Sequence, residues 1–245
     1  MDNAGYVALS RQTALWRQMD QIANNLANVN TAGFKGETML FTDYVARIRT
    51  DRSAFRDSVA FTEDFGAVRD LNEGAFTPTG NSLDVAIHGD GYFMVEAEDG
   101  SRFYTRNGHF KVNADGQMAT TSGEILLSQA EQPVILAPTE SEISIASDGT
   151  VSTENGVIGR LMVVNFANPR GLKRAGNGLY DAGDQTADPV ARARISQGVL
   201  EGSNVQPITE MTRMIDVQRA YEASLKMIES EHSRINRAIE AFSKV

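Results

Sequence analysis

The chain of 245 residues contains no cysteine. That excludes a disulfide, a thiol nucleophile and any zinc or iron–sulfur site held by thiolate. The absence fits every redox compartment, including an oxidising one reached by an unfolded chain. Positive charge is also scarce. Lys and Arg number 23 against 32 Asp and Glu, the net charge is −9, and no run of basic residues stands out. Phosphate binding needs a basic surface, so no nucleic-acid partner is expected. No apolar run reaches the roughly 18 residues of a spanning helix, so no membrane insertion is expected. The start, "MDNAGYVALSRQTALWRQ", lacks a basic n-region and a continuous apolar core, so no cleaved secretory signal is expected. By these signals alone the protein reads as cytoplasmic, unless the cell exports it by a route that needs no cleaved signal.

The residues that are present fall into textures of different kinds. Near the N-terminus, Leu15, Met19, Ile22, Leu26 and Val29 recur at steps of 4, 3, 4 and 3, with Ala8 one heptad earlier. That spacing is one seam of a helix, predicted to stop near Asn30 with Gly33 placed to end it. A second helix is predicted from about Pro207 to Phe242, with Pro207 suited to its first turn. Its main stripe is Met214, Val217, Tyr221, Leu225, Ile228, Ile235, Ile239 and Phe242. A shorter one, Ile208, Met211 and Ile215, lies beside it.

Between the helices, turn dipeptides recur: Asp90-Gly91, Asp99-Gly100, Asn107-Gly108, Asp115-Gly116, Asp148-Gly149 and Asn155-Gly156. Each signals a hairpin when alternating residues flank it, and stretches such as "LDVAI", "YFMVE" and "RLMVVNF" do. The fold class expected is therefore α+β. Terminal α-helices pack together as a coiled-coil-like inner domain, with a central antiparallel all-β domain. The segments are 1–33 (first helix), 34–74 (a connection, with extended strands one option), 75–200 (β domain) and 201–245 (second helix). Periodicity does not decide the order of residues 37–74. Over a hundred residues separate the two helices, so their seams are expected to pair with each other and with copies in other subunits.

"ANNLANVNTAGFKG", residues 23–36, places four amides in and beside the first seam. Asn24 and Asn28 are i,i+4 neighbours, and Asn25 lies beside Ile22 and Leu26. Buried amides are costly unless bonded, and so they can select one register. Asn25 and Asn28 are expected to donate to a neighbouring chain or turn, while Asn30, Thr31 and Gly33 belong to the helix stop.

Chemistry has few footholds. His88 lies near Asp84 and Asp90, with His109 remote in sequence. A metal needs three or four convergent ligands, so a turn-adjacent surface histidine is expected and no metal. "HGDGYF" lacks the strand–GxGxxG–helix context of a dinucleotide site and reads as a tight turn. No G-x-S-x-G elbow is present. A metal-dependent hydrolase using Asp84 and His88 is the remote alternative. An adhesin would bring a signal peptide or a long repeat array. No cofactor is expected.

Five stretches in order carry a resemblance. "IANNLANVNTAGFKG" resembles the N-terminal motif of the flagellar rod and hook proteins, the axial family of the bacterial flagellum. "TPTGNSLDVAIHGDGYFMVE", "YTRNGHFKVNADGQMATTSGEILL" and "EISIASDGTVS" with "IGRLMVVNF" resemble its central motifs. "LEGSNVQPITEMTRMIDVQRAYEASLKMI" resembles its C-terminal one. The match covers nearly the whole chain apart from residues 37–60. Thr209 and Thr212 stand where the family usually has aliphatic residues. The start and the short length look most like a proximal-rod subunit, with a distal-rod subunit the runner-up.

The resemblance implies a non-enzymatic structural subunit, exported unfolded through the flagellar type III apparatus without a cleaved signal. It implies assembly into the rod that crosses the periplasm, transmits torque and encloses the export channel, with terminal helices forming an inner tube. Partners would be copies of the chain, other proximal and distal rod subunits, the export apparatus and surrounding basal-body rings. The subunit interface would then use Leu15, Met19, Ile22, Asn25, Leu26, Asn28 and Val29 from the first helix. From the second it would use Met211, Met214, Ile215, Val217, Tyr221, Leu225 and Ile228, with Arg213, Arg219 and Glu222 on the flanks.

Overall fold

A computed structural model describes residues 3–47, 58–137 and 142–243, with side chains left undescribed at 3–7, 41–47, 58–65, 238, 242 and 243. Phe242 of the predicted stripe therefore lies outside the described side chains, and part of the undecided 37–74 segment lies outside the described residues. The chain divides into two compact units. One comprises Met1–Ala27, Glu37–Asp70 and Gln206–Val245; the other comprises Asn28–Gly36 and Leu71–Val205.

The first unit holds helix α1 (Asn3–Ala27), strands β1 (Glu37–Arg47) and β2 (Ser58–Arg69), and helix α2 (Pro207–Ser243). The helices pack on each other, and α1 also packs on β1 and β2. β1 and β2 pair antiparallel from Glu37↔Arg69 to Arg47↔Ser58, with a register shift at Leu40/Phe41. An isolated two-stranded ribbon is marginal in water, so packing on a helix is what such a pair needs. Its first rung is a cross-strand ion pair, Arg69 Nη2 to Glu37 Oε1 at 2.9 Å.

α1 ends at Ala27, earlier than the predicted stop near Asn30. The chain turns at once: Thr31 N–H and Oγ1 donate to the Asn28 carbonyl (3.1 Å) and Oδ1 (3.2 Å). Gly33 follows at φ +68°. The i+3 backbone bond closes a turn in place of the next helical one, and the Asn28 amide oxygen holds the Thr31 hydroxyl beside it. Val29 and Asn28 consequently leave the seam.

The second unit is built of β-strands, with one 3-10 turn at Pro169–Gly171. Its strands are β3 (Phe76–Pro78), β4 (Val85–His88), β5 (Tyr92–Glu96), β6 (Arg102–Thr105), β7 (Phe110–Val112), β8 (Met118–Thr120) and β9 (Ile125–Leu126). Then come β10 (Ser144–Ile145), β11 (Thr150–Thr153), β12 (Gly156–Arg160), β13 (Val163–Asn165), β14 (Lys173–Gly176) and β15 (Leu179–Asp181). β16 (Asp188–Pro189), β17 (Arg194–Gln197) and β18 (Val199–Glu201) complete it. The largest sheet runs β14-β15-β6-β5-β9-β8-β7, with β13 bridging β5 to β16. β10-β11-β12, β17-β4 and β18-β3 form smaller sheets.

β5 explains the continuous apolar run "YFMVE". Its two faces bury different residues. Phe93 and Val95 enter a core with Val85, Ile87, Phe110, Met118 and Leu126. Tyr92 and Met94 enter a second core with Tyr104, Phe166 and Tyr180. Phe93 meets Phe110 edge-on, with centroids 5.4 Å apart. Each such side chain contributes roughly 1.5–3 kcal/mol of burial. Burial also pushes the Tyr104 phenol above its ordinary pKa.

Four of the six turn dipeptides close hairpins: Asp99-Gly100 joins β5 to β6, Asp115-Gly116 joins β7 to β8, Asp148-Gly149 joins β10 to β11, and Asn155-Gly156 joins β11 to β12. Asp90-Gly91 and Asn107-Gly108 do not. β4 pairs with β17 rather than β5, and β6 pairs with β5 and β15 rather than β7.

Candidate assembly site

α1 and α2 run antiparallel through one register. Gln12 Nε2 donates to the Tyr221 hydroxyl (3.0 Å), Ser224 Oγ to the Ala8 carbonyl (3.4 Å), and Asn25 Nδ2 to Glu210 Oε2 (3.3 Å). The face α2 turns inward is Glu210, Met214, Val217, Tyr221, Ser224 and Ile228, at alternating steps of 4 and 3. Ser224, rather than the predicted Leu225, occupies the seam there. The small side chain lets α1 approach closely at Ala8, while Leu225 sits at the exposed edge.

Asn25 is a buried hub of the helical unit. Its amide nitrogen also donates to the Glu37 carbonyl (2.8 Å), and its oxygen accepts from Glu37 N–H (3.1 Å) and Gln21 Nε2 (3.4 Å). One side chain thus ties α1 to the start of β1 and to α2. Glu210, buried beside it, also accepts from Arg213 Nη1 at 2.7 Å. The predicted flanking arginine Arg213 is therefore engaged within its own helix.

The predicted interface residues sort by exposure. Ile22 and Val217 are buried inside the unit, as is Asn25. Leu15, Met19, Leu26, Met214, Tyr221 and Ile228 are half-buried. Met211 and Ile215 are exposed, and Leu225 is at the margin. Asn28 and Val29 belong to the turn and to the β unit. Other apolar groups stand in the open: Trp16 is 60% exposed and Ile208 79%, with Leu9 exposed one heptad before Trp16. Extending the register, Asn3 falls opposite about residue 229. Beyond that point Ile235 and Ile239 continue the inward stripe of α2 with no α1 residue among those described to cover them, and Ile239 is 60% exposed.

The rest of the "NTAGFKG" motif is held in the β unit by a buried triad that sequence reasoning missed. Lys35, Arg106 and Glu201 are 2%, 5% and 2% exposed. Glu201 Oε1 accepts from Lys35 Nζ (2.6 Å) and Gly74 N–H (3.1 Å); Oε2 accepts from Arg106 Nε (2.9 Å) and Nη2 (2.8 Å). Arg106 also donates to the carbonyls of Ile87, Gly89 and Gly91. The Glu201 carbonyl accepts Gly33 N–H at 2.8 Å. Burial pulls the Lys35 ammonium below its ordinary pKa, although the Glu201 carboxylate opposes the shift. A Cβ on Gly33 would come within 2.3 Å of the Arg106 carbonyl carbon, so glycine is required by space as well as by φ. Arg174 covers the segment, with Nη2 donating to the Lys35 carbonyl (2.7 Å) and its guanidinium 4.6 Å above the Phe34 ring. The triad residues are far apart in sequence, and only their place within the resembling motifs could have flagged them.

Asp84 and His88 do not converge. The Asp84 carboxylate accepts from Thr79 Oγ1 (2.6 Å) and Asn81 Nδ2 (3.0 Å) and bonds His109 Nδ1 (2.6 Å). His88 Nε2 bonds Ser196 Oγ (2.8 Å), and its ring lies 4.3 Å from that of Phe76. His109 is remote from Asp84 in sequence, and the Asp84↔His109 bridge brings the two together. Among the described residues no cluster of three His, Cys, Asp or Glu could hold a metal.

Comparison with known proteins follows this geometry along the chain. A family model for flagella basal body rod proteins matches residues 6–35, the α1–turn–Lys35 stretch. A flagellar hook protein FlgE/F/G D1 domain model matches 86–153, and a flagellar basal body rod FlgEFG C-terminal model matches 196–241. The flagellar basal-body rod protein FlgF of Caulobacter vibrioides is 39% identical over 248 residues, covering 100% of both chains. FlgF of Salmonella typhimurium is 32% identical over 260 residues, covering 99% of each. The flagellar basal-body rod protein FlgG of Agrobacterium fabrum is 34% identical over 247 residues, covering 91% of this chain and 92% of its own. With identity of this extent, and with models matching both terminal helices and the β unit between, the chain belongs to the flagellar basal-body rod protein family, as a structural subunit.

Proposed function

We propose that the chain is a proximal-rod subunit of the FlgF kind, assembling through its terminal helices into a coiled-coil-like tube that transmits torque and encloses the export channel. The observation that carries this is the apolar surface left uncovered on α1 and α2. Leu9 and Trp16 on one helix, and Ile208, Met211, Ile215, Ile235 and Ile239 on the other, are exposed in a single chain. Apolar surface of this extent on charged helices marks an interface. Leu15, Met19, Leu26, Met214, Tyr221, Leu225 and Ile228 border that surface and complete the contact. Copies of the chain and the other rod subunits are the partners, with basal-body rings around them. The route is flagellar type III export without a cleaved signal, into a rod that crosses the periplasm. A FlgG-like distal-rod role is the second reading, favoured by the 34% identity to a FlgG over most of both chains. Neither role includes catalysis.

Ile215→Asp tests the proposal without touching the inward seam. The variant is expected to melt like the parent and to be exported, yet to be missing from isolated basal bodies, leaving cells non-motile. Normal swimming with normal incorporation would overturn it.

A further inference from the structure

The chain passes from one compact unit to the other four times, at Ala27–Asn28, Gly36–Glu37, Asp70–Leu71 and Val205–Gln206. Units of one chain move relative to each other by default, and a few residues at the ends of elements absorb the change in backbone angles. Such motion needs loose connections.

Within the β unit the connections are tied to one another. Asn204 Oδ1 accepts Gly36 N–H (2.8 Å), and Nδ2 donates to the Asn72 carbonyl (3.0 Å). The Asn204 N–H donates to the Phe34 carbonyl (3.3 Å). Gly36 is the last residue before Glu37, Asn72 the second after Asp70, and Asn204 the second before Gln206. One amide thus joins three segments within two residues of where each leaves the unit. Lys35 Nζ closes the arrangement on the same Asn72 carbonyl (2.7 Å). Beside it two backbones lie flush: a Cβ on Gly74 would sit 1.9 Å from the Gly202 carbonyl oxygen, and Gly202 N–H donates to the Ala75 carbonyl (2.8 Å).

Within the helical unit the same segments are gathered again. Asn25 holds both backbone groups of Glu37, the Glu37 carboxylate pairs with Arg69, and Asn25 Nδ2 reaches Glu210 in the first turn of α2. A strand tied at one point swivels about its own backbone bonds. Strands tied to one another in both units do not turn independently. Side-chain hydrogen bonds contribute modestly to folding, so the importance of Asn204 lies in where its bonds fall.

We propose that Asn204 is a positioning residue that binds the connecting segments of the β unit into one bundle, so that a twist applied to either unit passes to the other. The use of that coupling in a torque-bearing shaft rests on the rod reading above. The coupling itself is a property of the single chain.

The cysteine-free sequence lets two spin labels be placed at will. Asp216 on α2 and Val157 on β12 are exposed, so Asp216→Cys with Val157→Cys puts one label on each unit. Pulsed electron paramagnetic resonance on the dilute full chain reads the spread of label distances. Asn204→Ala should widen that spread, and the Gly36 amide, freed of its acceptor, should exchange about ten-fold faster. A spread equal to the parent's would overturn the inference, as would an unchanged Gly36 exchange rate. Near-ultraviolet circular dichroism and Trp16 fluorescence check that both units stay folded. If Asn204→Ala unfolds the β unit, Asn204→Asp decides. It keeps the acceptor for Gly36 and loses the donor to Asn72, and a spread as narrow as the parent's overturns the inference there too. Because single chains are measured, an unchanged spread leaves the Ile215→Asp result standing. Normal assembly of Ile215→Asp would instead sink the tube reading and leave the widening intact.

Discussion

Glu201→Gln is the most informative single change in the β unit. The substitution keeps shape and removes one charge. Lys35 and Arg106, at 2% and 5% exposure, then face each other across a neutral amide. The amide nitrogen must also confront donors, since Lys35 Nζ, Gly74 N–H and both Arg106 nitrogens all donate to Glu201. Removing one partner of a buried ionic group costs about 3–5 kcal/mol, because the remaining charge stays buried. Lys35→Met is the matched control. It takes the triad from one net positive charge to none and leaves Glu201 bonded to Arg106 and Gly74. The Asn72 carbonyl that loses Lys35 Nζ keeps the Asn204 amide at 3.0 Å. Its cost should be smaller, about 1–3 kcal/mol for a lost charged hydrogen bond. For a domain of this size roughly 4 kcal/mol lowers the melting midpoint by about 10 °C. The two units can be read separately in the intact chain. Tyr92, Tyr104 and Tyr180 supply half of the six tyrosines behind the near-ultraviolet circular dichroism signal, and the part of its transition that does not follow tryptophan fluorescence reports the β unit. Trp16, the single tryptophan, reports α1 by fluorescence. The tyrosine transition should fall far more in Glu201→Gln than in Lys35→Met. A Glu201→Gln midpoint equal to the parent's, or a Lys35→Met variant that falls further, would refute the triad account.

Three other outcomes follow from the same contacts. Gly33→Ala must adopt φ +68° and place a methyl 2.3 Å from the Arg106 backbone; it should cost more than about 1 kcal/mol, and an unshifted tyrosine transition would count against it. Asn25→Ala removes its bonds to the Glu37 N–H and carbonyl and to one Glu210 oxygen; a loss of about 2–3 kcal/mol should lower the Trp16 transition, and an unmoved midpoint would contradict the hub. The lowered Lys35 pKa means that, between it and the ordinary lysine value of 10.5, the unfolded chain binds more protons than the folded one. Its contribution is full above 10.5 and lost as pH falls through the folded value, so the stability of the parent relative to Lys35→Met should rise with pH across that window in denaturant titrations, and a falling difference would reverse the sign.

The two helices were legible because apolar periodicity is a local signal, and α2 runs Pro207–Ser243 against a predicted end near Phe242. Partner choice was less legible because it is not local. Asp90-Gly91 and Asn107-Gly108 carry the same dipeptide signal as the four true hairpins. Yet the glycine of the second answers a different need: a Cβ on Gly108 would sit 1.6 Å from the Val85 carbonyl oxygen, whose hydrogen-bonded partner strand lies elsewhere. Asn107 meanwhile spends its Oδ1 on His109 N–H at 3.0 Å, shaping a corner. The triad was invisible to periodicity, since Lys35, Arg106 and Glu201 come from three distant stretches and meet only once the β unit is folded.

The amides of "ANNLANVNTAGFKG" pointed toward bonds with a neighbouring chain or turn, and Asn25 makes its bonds within the subunit, to the start of β1 and to α2. Its bonds to Glu37 and Glu210, with Gln12–Tyr221 and Ser224–Ala8, define a single antiparallel alignment of α1 on α2. A slip of one heptad moves a helix by about 10 Å. It would take Glu210 off the Asn25 amide and set a bulkier residue than Ser224 against Ala8. The inward seam therefore discriminates by polar groups and small side chains, while the uncovered surface keeps its large apolar ones, Trp16, Ile208, Met211 and Ile239. Those outer groups are fixed relative to one another by the internal alignment. Asn25 thus shapes the helical unit from within: the relative placement of its outer apolar groups is set by an amide buried beneath them.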